Sequence, residues 1–278
     1  MARPSSLTLT ARMALIALAV TGAPPPASAQ TPSGADLLEE ASPKVVGVPF
    51  AVGEHLRYKV KYGIFSVGEA HMTIAGIDTI HGMPTYVAEW RLKGSVLGYG
   101  IDETFTSWID TEGLFARRFV KDQGERYREY EFFPAEHRVQ RIDHDTTWAL
   151  PDPEPLDDIS IVYFTRTLDL DVGRSYTFDR FYNDEGNPIV LNVLRKDRRE
   201  VGAGEFNTVV VRPIIQTDGL FSEGGDAEIH FSDDEHRMVV YMKVDGPFLP
   251  LNLTLHLEEI VHVEPGGPQT PDDVPDSG

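Results

Sequence analysis

Residues 52–74 alternate between apolar and polar positions with a period of two, apart from an interruption between Gly63 and Gly68. Successive side chains of a β-strand point to opposite faces, so the pattern predicts two half-buried strands joined near Gly63–Gly68. The basic residues between the apolar positions, Lys59 and Lys61, are expected to face solvent, because burying them would leave charges without water. The predicted inward positions include Tyr58, Val60, Tyr62, Met72 and Ile74.

Similar short alternating segments, separated by turn residues, continue to about residue 260 and predict an antiparallel β fold. One segment departs from the alternation. In residues 157–168, Ile159, Val162 and Tyr163 recur with helical spacing after two aspartates that can cap a helix. We therefore predict one helix near 157–168, with these three side chains facing an apolar opening of the sheet.

The chain also shows weak similarity between its two halves, on either side of that helix. Together the patterns predict a mainly β fold: an antiparallel curled sheet or incomplete barrel, built from two pseudo-repeated halves and carrying one packed helix. The matching segments are 52–62 with 172–182, 81–90 with 202–211, and 105–119 with 227–242.

The two ends of the chain have the composition of segments outside the fold. Residues 1–29 read as a signal peptide cleaved after Ala29, because a charged start and a short apolar run precede a small-residue cleavage site. The run is much shorter than the ~20 residues that span a bilayer, so we expect release into the periplasm or medium. We expect a linker over 30–48, a single β-rich domain over 49–264, and a disordered acidic tail over 265–278.

The charge and the lack of cysteine narrow the choice of partners. Removing the two arginines of the signal peptide leaves 23 basic and 44 acidic residues, a net charge of −21. Such a charge opposes binding to nucleic acids or to anionic membrane surfaces, so we expect no nucleic-acid partner. The shortness of the only long apolar run, Met13 to Val20, predicts that the protein does not span the membrane. Without cysteine the chain has no disulfide, no thiol catalyst and no cysteine-based zinc site.

No motif identifies an enzyme, a metal site or a cofactor. The nine histidines include no pair four residues apart, and no G-x-S-x-G occurs. The acidic segments 143–145 and 232–237 lack the spacing of metal or calcium loops and are interpreted as solvated turns. The sequence therefore predicts no catalytic residue, no metal ligand and no cofactor, and it favours a protein that is not an enzyme.

Large aromatic residues are numerous, and they leave two interpretations of the interior. The inner face of the sheet closes on a sealed core, or it lines a cavity for an apolar ligand. The candidate ligand-binding residues are Tyr58, Val60, Tyr62, Met72, Trp90, Trp108 and Tyr163.

The order of several short segments resembles the bacterial exported domain of unknown function 3108 family over roughly residues 49–260. The family has no established reaction, so the resemblance implies no catalytic residues. Its layout is similar to that of the outer-membrane lipoprotein carriers, which implies a curled sheet around an apolar cavity. The matching segments are Pro49-Phe50, Gly53-Glu54 with Tyr58, "VGEAHM" at 67–72, "SWID" at 107–110, "DDISIVYFTR" at 157–166, Gly173, and residues 219–240.

These observations favour an exported, non-enzymatic binding or carrier protein of the cell envelope, with a lipid-like or apolar group as its ligand. A sugar-binding or envelope-assembly factor that uses surface aromatic residues is the first alternative. An outer-membrane barrel is the second, although an acidic, proline-rich tail follows the last predicted strand. The presence and content of an interior cavity would discriminate among them.

Overall fold

The computed structural model describes residues 39–40, 47–96, 99–215, 226–245 and 252–262. The predicted signal peptide and acidic tail, and most of the predicted linker, lie outside these residues. The described chain forms one sheet of fourteen antiparallel strands, with a two-residue strand added in parallel at one edge, and a single α-helix. The mainly β prediction is confirmed.

The first half of the chain runs through the strands β1 (Glu39–Glu40), β2 (His55–Tyr62), β3 (Phe65–Ile80), β4 (Met83–Val96), β5 (Tyr99–Asp110), β6 (Ala116–Asp122), β7 (Tyr127–Phe133), β8 (Arg138–Arg141) and β9 (Thr146–Ala149). After the helix α1 (Ser160–Arg166) come β10 (Arg174–Phe178), β11 (Ile189–Val201), β12 (Gly204–Ile214), β13 (Asp226–Ser232), β14 (Val239–Asp245) and β15 (Leu253–His262). Short 3-10 helices cover Pro134–Glu136, Ile142–His144 and Asp184–Gly186.

The sheet consists of two meanders that meet in its middle. Strands β2 to β9 pair in sequence order, strands β10 to β15 do the same, and β15 pairs with β2. The similar segments of the two halves fall on strands of equal rank: the first, third, fourth and fifth strands of each meander. The two-half organisation predicted from the sequence therefore agrees with the order of strands.

The turn between β2 and β3 is tighter than the sequence indicated. It consists of Gly63 and Ile64 alone, and Gly68, predicted to belong to the junction, lies inside β3 opposite Gly94 of β4. A Cβ atom on Gly68 would lie 2.3 Å from the carbonyl oxygen of Lys93, so this close approach of two backbones requires glycine. Such contacts, together with several register shifts, let a long sheet curl.

The helix α1 begins at a cap that the sequence predicted. The Asp157 Oδ1 atom accepts hydrogen bonds from the backbone N–H groups of Ile159 and Ser160, each at 2.8 Å, and the backbone N–H of Asp157 donates to Ser160 Oγ at 2.7 Å. These bonds satisfy donors that a helix start leaves free. The helix is shorter than the predicted 157–168. All its residues are buried, including the predicted Val162 and Tyr163, and so is Ile159 directly before it.

The two edges of the sheet approach each other without joining. No ladder connects β9 with β10 in the part of the chain that the structure describes. Instead, Leu156 lies between them: its N–H donates to the Arg180 carbonyl at 2.6 Å, and its carbonyl accepts from Tyr182 at 3.1 Å. On the β9 side, the Trp148 indole donates to the carbonyl of Tyr182 at 3.2 Å. The fold is therefore an incomplete barrel whose gap is filled by the entry to α1.

A buried ion pair holds α1 against the sheet. Arg166 donates from Nη1 and Nη2 to the two carboxylate oxygens of Glu54, at 2.6 and 2.7 Å, and Nη2 also donates to the carbonyls of His236 and Pro49. Burial alone would lower the pKa of Arg166, but the Glu54 carboxylate raises it. The guanidinium thus links the helix, the segment before β2 and the β13–β14 turn.

Candidate functional site

A cavity of about 710 Å³ lies against the inner face of the sheet. This volume is within the ~300–1,000 Å³ that small-molecule sites usually occupy. Residues from both meanders and from the start of α1 form its wall. Its apolar part includes Ala70, Met72, Trp90, Leu92, Phe105, Ile159, Phe181, Ile215, Met242, Val244, Leu253 and Leu255.

One row of residues paired across five strands shows how the cavity wall changes from apolar to cationic. Met72, Trp90, Phe105, Lys121 and Arg128 lie opposite one another in register across β3 to β7. Residues in register on neighbouring strands share a face, so these five side chains lie side by side on the inner face. The row passes from apolar residues near the middle of the sheet to two cations near its β7 side.

The lysine of this row has a carboxylate partner. Lys121 Nζ donates to Asp158 Oδ2, and both residues line the cavity. The ammonium group also lies 5.1 Å from the centre of the Phe119 ring, a cation–π contact. The charge of Lys121 is therefore largely compensated at the point where α1 begins.

The arginines near the end of the row differ in this respect. Arg126 and Arg128 line the cavity, and within the described residues neither guanidinium lies within ion-pair distance of a carboxylate. Arg126 is exposed and Arg128 is half-buried. A second, more polar groove of about 440 Å³ adjoins the cavity and shares Arg126, Arg128 and Tyr130 with it.

The remaining arginine of this groove is engaged. Arg141 donates from Nε and Nη2 to Asp143, with a shortest distance of 2.7 Å. The bond to Arg141 holds the pKa of Asp143 at about 2, below its usual range. Arg126 and Arg128 are thus the cations of the groove that are open to a bound anion.

Two of the seven candidate residues from the sequence line the cavity: Met72 and Trp90. The indole Nε1 of Trp90 is buried and has no hydrogen bond of normal geometry within the described residues, and the same holds for the Tyr163 hydroxyl. Burial raises the pKa of Tyr163, and the nearby Trp90 indole partly offsets that rise.

The other candidates lie elsewhere. Tyr58, Val60 and Tyr62 are buried as the alternation predicts, and Tyr163 as the helical spacing predicts, but all four pack in the core and are not part of the cavity wall. The Tyr58 hydroxyl donates to the carbonyl of Val239 at 2.8 Å, an arrangement suited to a sealed core. The interior thus combines the two alternatives: a packed core in one region and a cavity in another.

Trp108 lies on the opposite face of the sheet from the cavity. Its indole N–H donates to Asp78 Oδ2 at 2.9 Å, and the guanidinium carbon of Arg118 lies 4.7 Å from the ring centre. Both faces of β5 carry large residues, and the inward positions next to Trp108 belong to Ser107 and Ile109, which are fully buried. Trp108 is therefore separated from the other candidates.

Sequence reasoning overlooked the cationic side of the cavity, although the alternation contained a signal. In β6, Phe119 and Lys121 are two residues apart, and in β7 the same spacing relates Arg128, Tyr130 and Phe132. Positions two apart share a face, so an inward aromatic ring predicts an inward cation beside it. An inward-facing cation is uncommon enough to indicate a site.

The fold and its contents define an incomplete β-barrel with an apolar cavity. Arg126 and Arg128, where the cavity adjoins the polar groove, form what we call its cationic mouth. The family model described as "Protein of unknown function (DUF3108)" matches residues 57–255, and the chain belongs to this family. The resemblance seen in the sequence is thereby confirmed. No curated protein matches the chain.

The solved structures that match this chain share little sequence with it. A β-barrel-like protein of domain of unknown function DUF1849 from Brucella abortus has a TM-score of 0.41 and 8% identity, covering 75% of this chain and 97% of its own. A candidate lipoprotein from Parabacteroides distasonis has a TM-score of 0.35 and 11% identity, covering 79% of this chain and 100% of its own. A hypothetical protein from Chlamydia trachomatis has a TM-score of 0.30 and 9% identity, covering 79% of this chain and 94% of its own. Likeness at this level carries no inference about function.

None of the helices in the described ranges is both long and apolar enough to cross a bilayer.

Proposed function

We propose that this protein is an exported, non-enzymatic binding or carrier protein that holds an apolar ligand in the cavity beneath the sheet. The observation that carries the proposal is the apolar wall formed by Met72, Trp90, Leu92 and Phe105 on one side and by the second meander on the other. Export follows from the signal-peptide pattern of residues 1–29, with cleavage after Ala29.

The size of the cavity supports a ligand site over a packing defect. Protein interiors are close-packed, and voids larger than a water molecule are few. An engineered cavity of only ~150 Å³ already binds small apolar molecules. A wall that faces a much larger space forgoes many dispersion contacts, and a bound apolar molecule would supply them.

The character of the wall supports a ligand of variable shape. Two methionines, Met72 and Met242, lie in it, and the unbranched thioether chain adapts to different surfaces. Trp90 and Phe105 add large flat surfaces that are only partly buried by the protein itself. Such a lining suits a protein that binds and releases apolar groups.

The outer surface supports the alternative, a sugar-binding factor, less well. Stacking on sugars requires an accessible aromatic face, whereas the ring of Trp108 lies beneath the Arg118 guanidinium. The hydroxyl of Tyr127, an exposed aromatic residue, donates to Glu129 at 2.7 Å. We therefore place the functional site inside the sheet.

A filled cavity tests the proposal. Purified protein is titrated with N-phenyl-1-naphthylamine, an uncharged apolar dye whose fluorescence rises when it leaves water. We expect the parent to take up the dye and Met72→Trp to lose most of this uptake, because the indole would occupy the cavity. The matched control, Thr73→Trp, adds the same ring at the neighbouring position on the other face and should bind as the parent does.

Two results would contradict the proposal. Failure of the parent to take up the dye would mean that the cavity does not admit apolar molecules. Undiminished uptake by Met72→Trp would place the dye elsewhere. Thermal unfolding of all three proteins shows whether Met72→Trp overpacks a sealed core, which typically costs about 1–3 kcal/mol, or leaves stability unchanged.

Material bound in the cell provides an independent test. Native mass spectrometry of protein purified from its own cells should show adducts that extraction with organic solvent removes. In the same sample, N-terminal sequencing should begin at Gln30, whereas a chain that begins at Met1 would rule out cleavage after Ala29.

A further inference from the structure

The mouth of the cavity indicates what kind of ligand it takes. We propose that the ligand is a single-chain amphiphile with an acidic head group, a carboxylate or a phosphate, held by Arg126 and Arg128. Its apolar chain would follow the cross-strand row towards Met72. This inference rests on the proposed binding function and names its ligand class.

The first argument is the continuity of two spaces of different character. The larger cavity is mainly apolar, the smaller groove is mainly polar, and Arg126, Arg128 and Tyr130 belong to both. A molecule that extends from one space into the other must change from apolar to polar where these residues lie. An amphiphile has this distribution of groups, whereas a wholly apolar molecule would leave the groove without a partner.

The second argument is length. From Met72 to Arg128 the row crosses β3, β4, β5, β6 and β7, which is four strand spacings. At about 4.8 Å for each spacing, the row measures about 19 Å along the curved wall. One acyl layer of a bilayer is about 15 Å thick, half of the ~30 Å hydrocarbon core. An extended acyl chain of that length beginning at Arg128 would therefore reach Trp90, three spacings or about 14 Å away, and a longer chain would extend towards Met72.

The third argument is the charge state of the mouth. Each of the other cations that line the two spaces has a carboxylate partner: Lys121 pairs with Asp158, Arg141 with Asp143 and Arg91 with Asp102. Arg126 and Arg128 have none within the described residues. A guanidinium presents two parallel N–H donors that match a carboxylate or phosphate group.

Acidic residues near Arg126 and Arg128 limit the affinity of this site for small anions. Glu103 and Glu185 line the cavity and Glu125 lines the groove, so the local charge is mixed. None of the three is within ion-pair distance of Arg126 or Arg128 in the described structure. Free inorganic anions should thus bind weakly, and the apolar chain should supply most of the affinity.

The test compares ligands that share a chain and differ in the head group. The probes are palmitic acid, hexadecyl phosphate and the uncharged methyl palmitate, each displacing N-phenyl-1-naphthylamine from the full-length protein. We expect both acids to bind at least tenfold more tightly than the ester. Arg126→Gln/Arg128→Gln should remove this preference, so that the acids bind no more tightly than the ester.

A matched control and a milder variant keep the test decisive. Arg198→Gln removes an exposed arginine of β11 and should retain the preference for acids. If the double variant does not fold, Arg126→Gln alone, at an exposed position, should reduce the preference by a smaller factor. The ratio between palmitic acid and hexadecyl phosphate decides which acidic head group the site prefers.

The possible failures are distinguishable. If neither dye nor any long-chain probe binds the parent, the proposed binding function itself is wrong. If acids and ester bind equally well, and the arginine substitutions change nothing, the ligand class is wrong while the cavity function stands. A parent that binds the ester more tightly than the acids would likewise overturn the assignment of the head group to Arg126 and Arg128. A double variant that still prefers the acids would do the same.

Discussion

Replacing Arg166 by methionine should lower the free energy of unfolding by about 3–5 kcal/mol, the usual loss when one partner of a buried ion pair is removed. The substitution keeps a long apolar side chain in the helix but leaves the Glu54 carboxylate, which is 1% exposed, without its cation. It also removes the donor to the carbonyls of His236 and Pro49.

The magnitude follows from the burial of both partners. A carboxylate in water is solvated on all sides, whereas Glu54 in the fold has the guanidinium of Arg166 at 2.6 and 2.7 Å in place of that solvent. Without the cation, the folded state must bury a charge or take up a proton, and both cost free energy.

Two further variants separate the ion pair from the packing. Arg166→Met/Glu54→Leu removes both charges, and because a buried pair is often replaceable by apolar residues, it should regain much of the lost stability. Arg57→Met breaks a surface pair with Glu259, whose side chain is 54% exposed. That change should cost much less stability than Arg166→Met, because an exposed ion pair contributes little.

Urea unfolding followed by tryptophan fluorescence measures these differences. At about 2–4 °C for each kcal/mol in a chain of this size, Arg166→Met should also lower Tm by roughly 6–20 °C. An Arg166→Met protein within about 1 kcal/mol of the parent would refute the reasoning, since a buried, uncompensated carboxylate is the stated cause. A double variant as unstable as the single variant would assign the loss to packing instead.

Three other perturbations have defined outcomes. Burial raises the pKa of Asp157 to about 6, so its contribution to stability is present below the unfolded pKa of ~3.9 and is lost as pH rises through 6. Asp157→Asn should remove this loss when urea unfolding is compared at pH ~4 and ~7. A variant whose stability changes with pH as much as that of the parent would contradict this assignment. Val162→Asp puts a carboxylate at a position that is 1% exposed and should severely destabilise the protein, whereas an unchanged Tm would mean that the helix is not packed there. Gly68→Ala places a Cβ atom 2.3 Å from a backbone oxygen and should lower Tm, whereas Gly76→Ala, with nothing within 4 Å of its Cβ, should cost much less; equal Tm values for the two variants would contradict the close approach.

Much of the local structure could be predicted because its causes lie within a few residues. The alternation around Tyr58 and Val60 determines which side chains face inward, since the period of a strand is two. The cap at Asp157 depends on N–H groups only two and three residues away. The order of strands was predictable in outline because neighbouring strands in an antiparallel meander are also neighbours in the chain.

The location of the site was less accessible, and Trp108 shows why. Alternation shows that Trp108 and Ser107 face opposite sides, and size alone favours the tryptophan as the inward residue. The structure buries Ser107 instead, because its hydroxyl donates to Asp157 Oδ2 at 2.6 Å at the start of the helix. This contact joins residues 50 positions apart, and no periodic pattern contains it.

The sequence by itself determined the class of fold, the inward faces of the strands, the position of the helix and the resemblance to the family. The tertiary structure alone decided that the sheet stays open around Leu156, that Arg166 pairs with Glu54, and that Met72 and Trp90 border a cavity while Tyr58 is sealed in the core. The physical reason is that facing inward is a local property, whereas the space beyond an inward side chain depends on how far away the opposite wall lies. That distance is set by curl and by contacts between residues far apart in the chain.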